Sequence, residues 1–336
     1  MPAELLERAV RDGVTPSYDL AVLVGGEPTL ALRGGWIEPG VPVPGDAVWD
    51  LASLTKPLVG APLAWRLVDE GLLGFDEELR RILPDLSEGV TLAHLLSHSA
   101  GYPAWRPLYE QVDEPGSSTA RELILELART CPLESEPGIR HAYSDLGFLA
   151  LCALLEHLGG ARVDVLARDL PLDGLTWGSP RAVPTEDCPV RGRVVRGEVH
   201  DLNCWAMGGV STHAGLFGDA RSVAMAAQAH LQRFRSGRSR ALREAWTRRG
   251  AGSHLLGWDG RSGENSSSGA LFPPESVGHL GFTGTSVWLA PREEVVVVLL
   301  TNRVHPSVED VRIRQLRPAL HDAVVGWLRR RGRWVR

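Results

Sequence analysis

Ser53-Leu54-Thr55-Lys56, followed by Pro57 and an apolar run to Trp65, decides how this chain is read. Lysine and arginine together number 36 in 336 residues, and Lys56 is the one lysine. Arginine stays protonated, its pKa lying above about 12, whereas a lysine can act as a base once its surroundings lower its pKa. A sole amine three residues after a serine marks a position where charge alone is not enough. Ser-x-x-Lys is a nucleophile-plus-base spacing for acyl transfer. The plain alternative is a chance survivor in an arginine-biased composition. Residues i and i+3 of a helix share a face. Pro57 has no N–H and belongs near a helix start. Ser53 is therefore expected at the helix N-terminus, where its N–H supplies half of an oxyanion hole. Lys56, desolvated among apolar neighbours, is expected to have a lowered pKa.

Outward from this run, strand patterns lie towards both ends of the chain and helical patterns between them. Residues 3–12 read as a helix, Tyr18–Val24 and Thr29–Arg33 as a hairpin turning at Gly25–Pro28. The helix opened by Ser53 is expected to reach Glu70 and stop at Gly71. Further helices are expected near Glu77–Ile82, Thr91–Leu96, Ala120–Thr130, Leu146–Leu158, Ser211–Arg233 and Ser239–Arg249. Residues 170–200 read as irregular, and 252–274 as a Gly/Ser-rich loop. Strands return at Val277–Leu289 and Glu294–Thr301, and a helix from Val308 to Arg330 closes the chain. The expected class is α+β, a single domain over residues 1–336. An α/β lobe of about 1–52 and 251–336 carries an antiparallel sheet flanked by the terminal helices. An all-α lobe of about 53–250 completes it, with the site in the cleft between.

Composition narrows the function. Hydrophobic residues make 43% and charged residues 23%, as in globular domains with a buried core. A net charge of −5 gives no general pull towards nucleic acid or anionic membrane, so neither is expected as a partner. No apolar run approaches the length of a membrane span. The N-terminal residues lack the apolar core of a signal peptide, so a cytoplasmic location is expected. The four cysteines lack metal spacing and read as buried thiols in a reducing compartment. The histidines form no His-Glu-x-x-His pattern, so no metal and no cofactor are expected.

Two further constellations carry chemistry. In Tyr143-Ser144-Asp145, after the Pro137-Gly138 turn, Tyr143 sits at a loop-to-helix junction with Asp145 as the expected cap. A phenol beside an ammonium can share its proton in acid–base catalysis. Taken alone, the same residues read as a buried tyrosine and a cap. In Gly278-His279-Leu280-Gly281-Phe282-Thr283-Gly284-Thr285, glycines on a strand imply close approach of a ligand or backbone. His279 is expected to face the substrate as a donor; the alternative is a core histidine on a twisted strand. The segments His94–Gly101 and His200–Phe217 read as structural, with the second able to line the cleft.

In this order, Ser53-Leu54-Thr55-Lys56, Tyr143-Ser144-Asp145 and His279-Leu280-Gly281 resemble the motifs of the serine β-lactamase and penicillin-binding-protein superfamily, in its class C-like branch. The flanks Trp49–Ala52, Leu95–Gly101 and Phe282–Thr285 match too, and the resemblance runs from about residue 16 to 330. It implies that fold, with Ser53 as nucleophile, Lys56 as base and Tyr143 as proton shuttle that also activates the deacylating water. It implies an oxyanion hole of the Ser53 and Phe282 N–H groups, with Asp145, His279 and Gly281 binding substrate. Two departures stand out. Asp145 replaces the usual Asn, and a carboxylate near Lys56 favours the ammonium, unless the pair orients the amine while Tyr143 carries the proton. His279 replaces a lysine and is only partly charged near neutral pH, so β-lactam carboxylates should be held weakly.

The expected function is a serine hydrolase acting through an acyl-enzyme on an ester, amide or D-amino-acid peptide bond. Its partner is a small molecule or short peptide; the oligomeric state is left open. The rival expectation is a catalytically idle scaffold that binds a peptide or cell-wall fragment in the same cleft.

Overall fold

The computed structural model describes residues 1–263 and 265–334. Glu264, in the Gly/Ser-rich loop, lies outside them, as do Val335 and Arg336. The chain opens with α1 (Pro2–Arg11), β1 (Ser17–Val24), β2 (Glu27–Glu38) and β3 (Val41–Pro42). Four later strands complete the main sheet: β4 (Asp259–Gly260), β5 (Val277–Leu280), β6 (Ser286–Ala290) and β7 (Val295–Thr301). Their order is β3-β2-β1-β7-β6-β5-β4, with neighbours antiparallel.

β7, Val-Val-Val-Val-Leu-Leu-Thr, is buried along its whole length because both sheet faces are covered. Side chains alternate across a strand. Val295, Val297 and Leu299 join Leu6 of α1 and the C-terminal helix α6 (Ile313–Arg330) through Leu320, Val324 and Leu328. Val296, Val298 and Leu300 face the other way, into the larger core. That core includes Val223, Ala224, Ala227 and Leu231 of α5 (Ala220–Ser236), which packs on β1, β6 and β7. The expected division placed this helix in the all-α lobe of about 53–250; it packs against the sheet. The alanines of α5 make a thin, smooth face that lies close to the sheet, so a helix from the middle of the chain covers the sheet's inner side.

The helical part centres on α4 (Asp145–Gly159), whose Leu146–Leu155 are all buried, with α2 (Ala61–Asp69) and α3 (Ser118–Arg129) about it. Three expected elements differ. The strand expected over 277–289 is a hairpin, β5 and β6, because Gly281–Thr285 turn tightly with Gly284 at φ +108°. The helix expected from Ser53 begins irregularly: a 3₁₀ turn at Ala52–Leu54, a wide π turn at Lys56–Gly60, then α2. Pro62 lacks the N–H that a regular helix would bond to residue 58, which lets the turn widen. The helix expected at Ser211 starts only at Ala220, and Leu216–Gly218 is instead the middle strand of a small sheet with Trp49–Asp50 and Thr176–Trp177. Among the described residues, no helix is long and apolar enough to cross a membrane. All four cysteines are free thiols.

Candidate active site

Trp49–Asp50 of the small sheet delivers the chain to Ala52, which has a left-handed φ of +49°. A non-glycine residue adopts this conformation only when its surroundings insist. The Ala52 N–H donates to Asp50 Oδ1 at 2.8 Å, and the Thr55 hydroxyl donates to the Ala52 carbonyl at 2.7 Å. Asp50 also accepts the His200 N–H, tying the 200–217 loop to the same turn. The turn throws Ser53 onto the wall of a cavity of about 740 Å³. Asp50 is wholly buried, and burial raises its pKa against the pull of those two N–H donors.

Lys56 follows one turn later, completely buried, and its Nζ donates to Ser53 Oγ at 2.9 Å and to Asp145 Oδ1 at 2.5 Å. Nζ also lies 4.8 Å from the Tyr143 ring centre. Burial pulls the ammonium's pKa down, but the Asp145 charge and hydrogen bond, with Tyr143, outweigh it, and the net shift is upward. The expectation of a lowered Lys56 pKa is thereby corrected. Tyr143 is half-buried beside Lys56 and Ser53, and desolvation raises its phenol pKa despite the nearby ammonium.

Asp145 is the first residue of α4 but not its cap, which corrects a second expectation. Ser144 caps the helix, its Oγ accepting the Gly147 N–H at 3.0 Å. This leaves the Asp145 carboxylate free to reach Lys56.

The turn after β5 forms the facing wall. Thr283 and Thr285 donate their hydroxyls to the carbonyls of Asp50 and Leu51, which locks the turn to the nucleophile segment. Gly281 is needed there, since a Cβ would lie 2.7 Å from the Leu51 carbonyl oxygen. Neither the Ser53 N–H nor the Phe282 N–H has a hydrogen-bond partner among the described residues. His279 differs from its expected role. Its Nδ1 bonds the Leu280 carbonyl at 2.8 Å, so Nε2 carries the lone pair, buried and without a partner among the described residues. Burial, with the Lys56 charge, pushes its pKa down to about 3, so it is neutral and does not meet the cleft as a partial cation.

Several site groups escaped the sequence. His98 lies tilted against Tyr143 with ring centres 4.3 Å apart, and His254 lies against His98, His141 and His279. Burial holds His98 and His254 well below the usual histidine pKa. One nitrogen each of His98, His254 and His279 lies within 4.8 Å of the others, an arrangement that invites a metal. However, His98 Nδ1 accepts the Ser144 N–H at 3.0 Å, so its Nε2 keeps a proton and has no lone pair to give. The trio is one ligand short. Arg303, Arg314 and Arg317 line another wall. Arg317 is buried and pins the turn through the Gly281 and Thr285 carbonyls, whereas Arg314 is exposed and has no partner among the described residues. Trp105 and Asp145 line the same cavity, as do His200 and His213.

Fold and cleft together define a serine hydrolase of the β-lactamase and penicillin-binding-protein superfamily. The chain belongs to the Beta-lactamase family, whose profile matches residues 3–321. A curated relative from Salmonella agona (strain SL483), named "Putative D-alanyl-D-alanine carboxypeptidase", is 27% identical over 330 residues, spanning 84% of this chain and 76% of its own. Among solved structures, EstCE1, "a hydrolase with promiscuous acyltransferase activity", superposes with a TM-score of 0.74 at 20% identity, over 97% of both chains. A penicillin-binding protein homolog from Caulobacter crescentus does so with a TM-score of 0.71 at 19% identity, over 95% of both.

Proposed function

We propose that the protein hydrolyses an ester or D-amino-acid peptide bond through an acyl-enzyme on Ser53. The observation that carries this is Ser53 Oγ at 2.9 Å from the one lysine's Nζ, on the wall of an open cleft. Ser53 Oγ adds to the substrate carbonyl carbon and gives its proton to the Lys56–Tyr143 pair. The carbonyl oxygen, now negative, accepts the free N–H groups of Ser53 and Phe282. The proton passes to the leaving alcohol or amine as its bond to the carbonyl breaks. Water then attacks the ester, losing a proton to the same pair, and the acid departs as Ser53 regains its hydrogen. Lys56 rests as an ammonium beside Asp145, so capacity to accept a proton grows with pH.

Neutral His279 gives no charge to a β-lactam carboxylate, which supports esterase or peptidase activity over β-lactamase activity. Arg314 suits a leaving group that ends in an acid, in line with the relative named as a carboxypeptidase. The 2.5 Å Lys56–Asp145 pair favours one second reading, an idle scaffold that binds a peptide in the cleft. Time-resolved intact mass with benzylpenicillin and, separately, p-nitrophenyl butyrate tests the assignment, with Ser53→Ala as control. Ester turnover that vanishes in Ser53→Ala supports the hydrolase. A lasting penicilloyl adduct would mark a D,D-peptidase-like site. No adduct and no turnover would leave the scaffold.

A further inference from the structure

We propose that the acyl part of the substrate carries a free amino group, bound as an ammonium between Asp145 and Trp105. This rests on the acyl-enzyme reading and narrows its substrate. Capping by Ser144 leaves the Asp145 carboxylate clear of the backbone. Oδ1 takes the Lys56 ammonium, and Oδ2 has no partner among the described residues. The side chain is 20% exposed and shares its cavity with Ser53. An ionised carboxylate accepts hydrogen bonds and donates none. A substrate carbonyl set against Oδ2 would bring two acceptors together, so the group that fits must bring hydrogens.

Trp105 supplies the second contact. It is 40% exposed and lines the same cavity. The Asp145 N–H donates to the Ala104 carbonyl at 2.9 Å, which holds the 104–105 segment against the first turn of α4. Indole faces attract cations, and a carboxylate beside one gives an ammonium both a charge-assisted hydrogen bond and a π surface. Lys56 already offsets part of the Asp145 charge, so the hydrogen bond and the ring together carry the selectivity. Arg314 and Arg317 also line the cavity and repel an amine, which leaves the Asp145 carboxylate as its place. Arg106, next in sequence to Trp105, is engaged with Glu134 at 2.7 Å.

The test compares kcat/KM for alanine benzyl ester, in each hand, with its N-acetyl counterpart, taking p-nitrophenyl butyrate as the amine-free reference. One charge-assisted hydrogen bond predicts about a 10–100-fold preference for the free amine. The preference should sit mainly in KM and shrink towards one in both Asp145→Asn and Trp105→Leu. Trp105 is exposed, so its variant reports even where Asp145→Asn folds poorly. Equal or better use of the acetylated ester, with Ser53-dependent butyrate turnover intact, overturns the amino-group assignment alone. A preference that survives in Trp105→Leu and Asp145→Asn overturns it too. No Ser53-dependent turnover of any ester overturns the acyl-enzyme reading as well.

Discussion

Replacing Asp145 by Asn keeps the shape of the side chain and removes the negative charge 2.5 Å from the Lys56 amine. In the native site that charge and hydrogen bond lift the Lys56 pKa above its ordinary value of 10.5, against the downward pull of burial. Without the carboxylate, burial acts almost unopposed and the amine releases its proton more readily. The same charge also raises the Tyr143 phenol, so the variant moves both possible bases in one direction. An opposite charge at contact distance shifts a pKa by about 1–3 units. One unit multiplies the deprotonated fraction tenfold when that fraction is small. Acylation by p-nitrophenyl butyrate at pH 8 should therefore rise about 10-fold or more in Asp145→Asn, and the alkaline rise of kcat/KM should move to lower pH. The measurement is a burst-phase acylation rate from pH 6 to 10, with circular dichroism to confirm folding. An unmoved or alkaline-shifted profile would refute the electrostatic argument. Loss of acylation at every pH in a folded variant would show instead that the carboxylate is needed for the chemistry.

Three other outcomes are expected. Lys56→Arg retains charge and loses the base, so acylation should fall by about 10²–10⁴-fold with the fold intact, as read by intact mass and circular dichroism. Acylation at the native rate would remove Lys56 from the mechanism. Acid should destabilise the protein from about pH 6.5 downwards. Buried His98 and His254 lie well below 6.5, His230 and His321 near 4 and His279 near 3, so the unfolded chain binds more protons there. Each contributes up to about 1.4 kcal/mol per pH unit across that window; Asp50 and Asp259, raised by burial, act in the opposite sense but are fewer. Calorimetry from pH 7.5 to 4.5 should show a falling Tm, and a flat Tm would refute this. Gly257→Ala puts a Cβ 2.2 Å from that of Ala61 at a φ of +100°, and should cost about 1–3 kcal/mol in urea unfolding. An unchanged midpoint would mean that α2 can shift without penalty.

What was legible in the sequence was what is local. The sole lysine, its spacing from Ser53 and the Gly-rich turn at 281–284 are neighbours along the chain, and the strand patterns at both ends do form one sheet. Ser144 and Asp145 are both good caps, and the pattern alone could not tell which would be used; the choice decides whether the carboxylate reaches Lys56. The wide turn at 56–60 needs two prolines five residues apart to be read together. The histidines under Tyr143 come from residues 98, 141, 254 and 279, and nothing in their spacing foretells that they meet. The inner-face position of α5 is likewise set by the fit of its alanines to a sheet whose strands come from both ends of the chain.

The singular amine at position 56 also makes the protein its own reporter. Growth on ¹⁵N-lysine would label one side chain in 336 residues, and that side chain is the one bonded to Ser53. Its nitrogen shift, followed through a pH titration, would give the protonation state at the heart of the cleft without assignment and without a mutation.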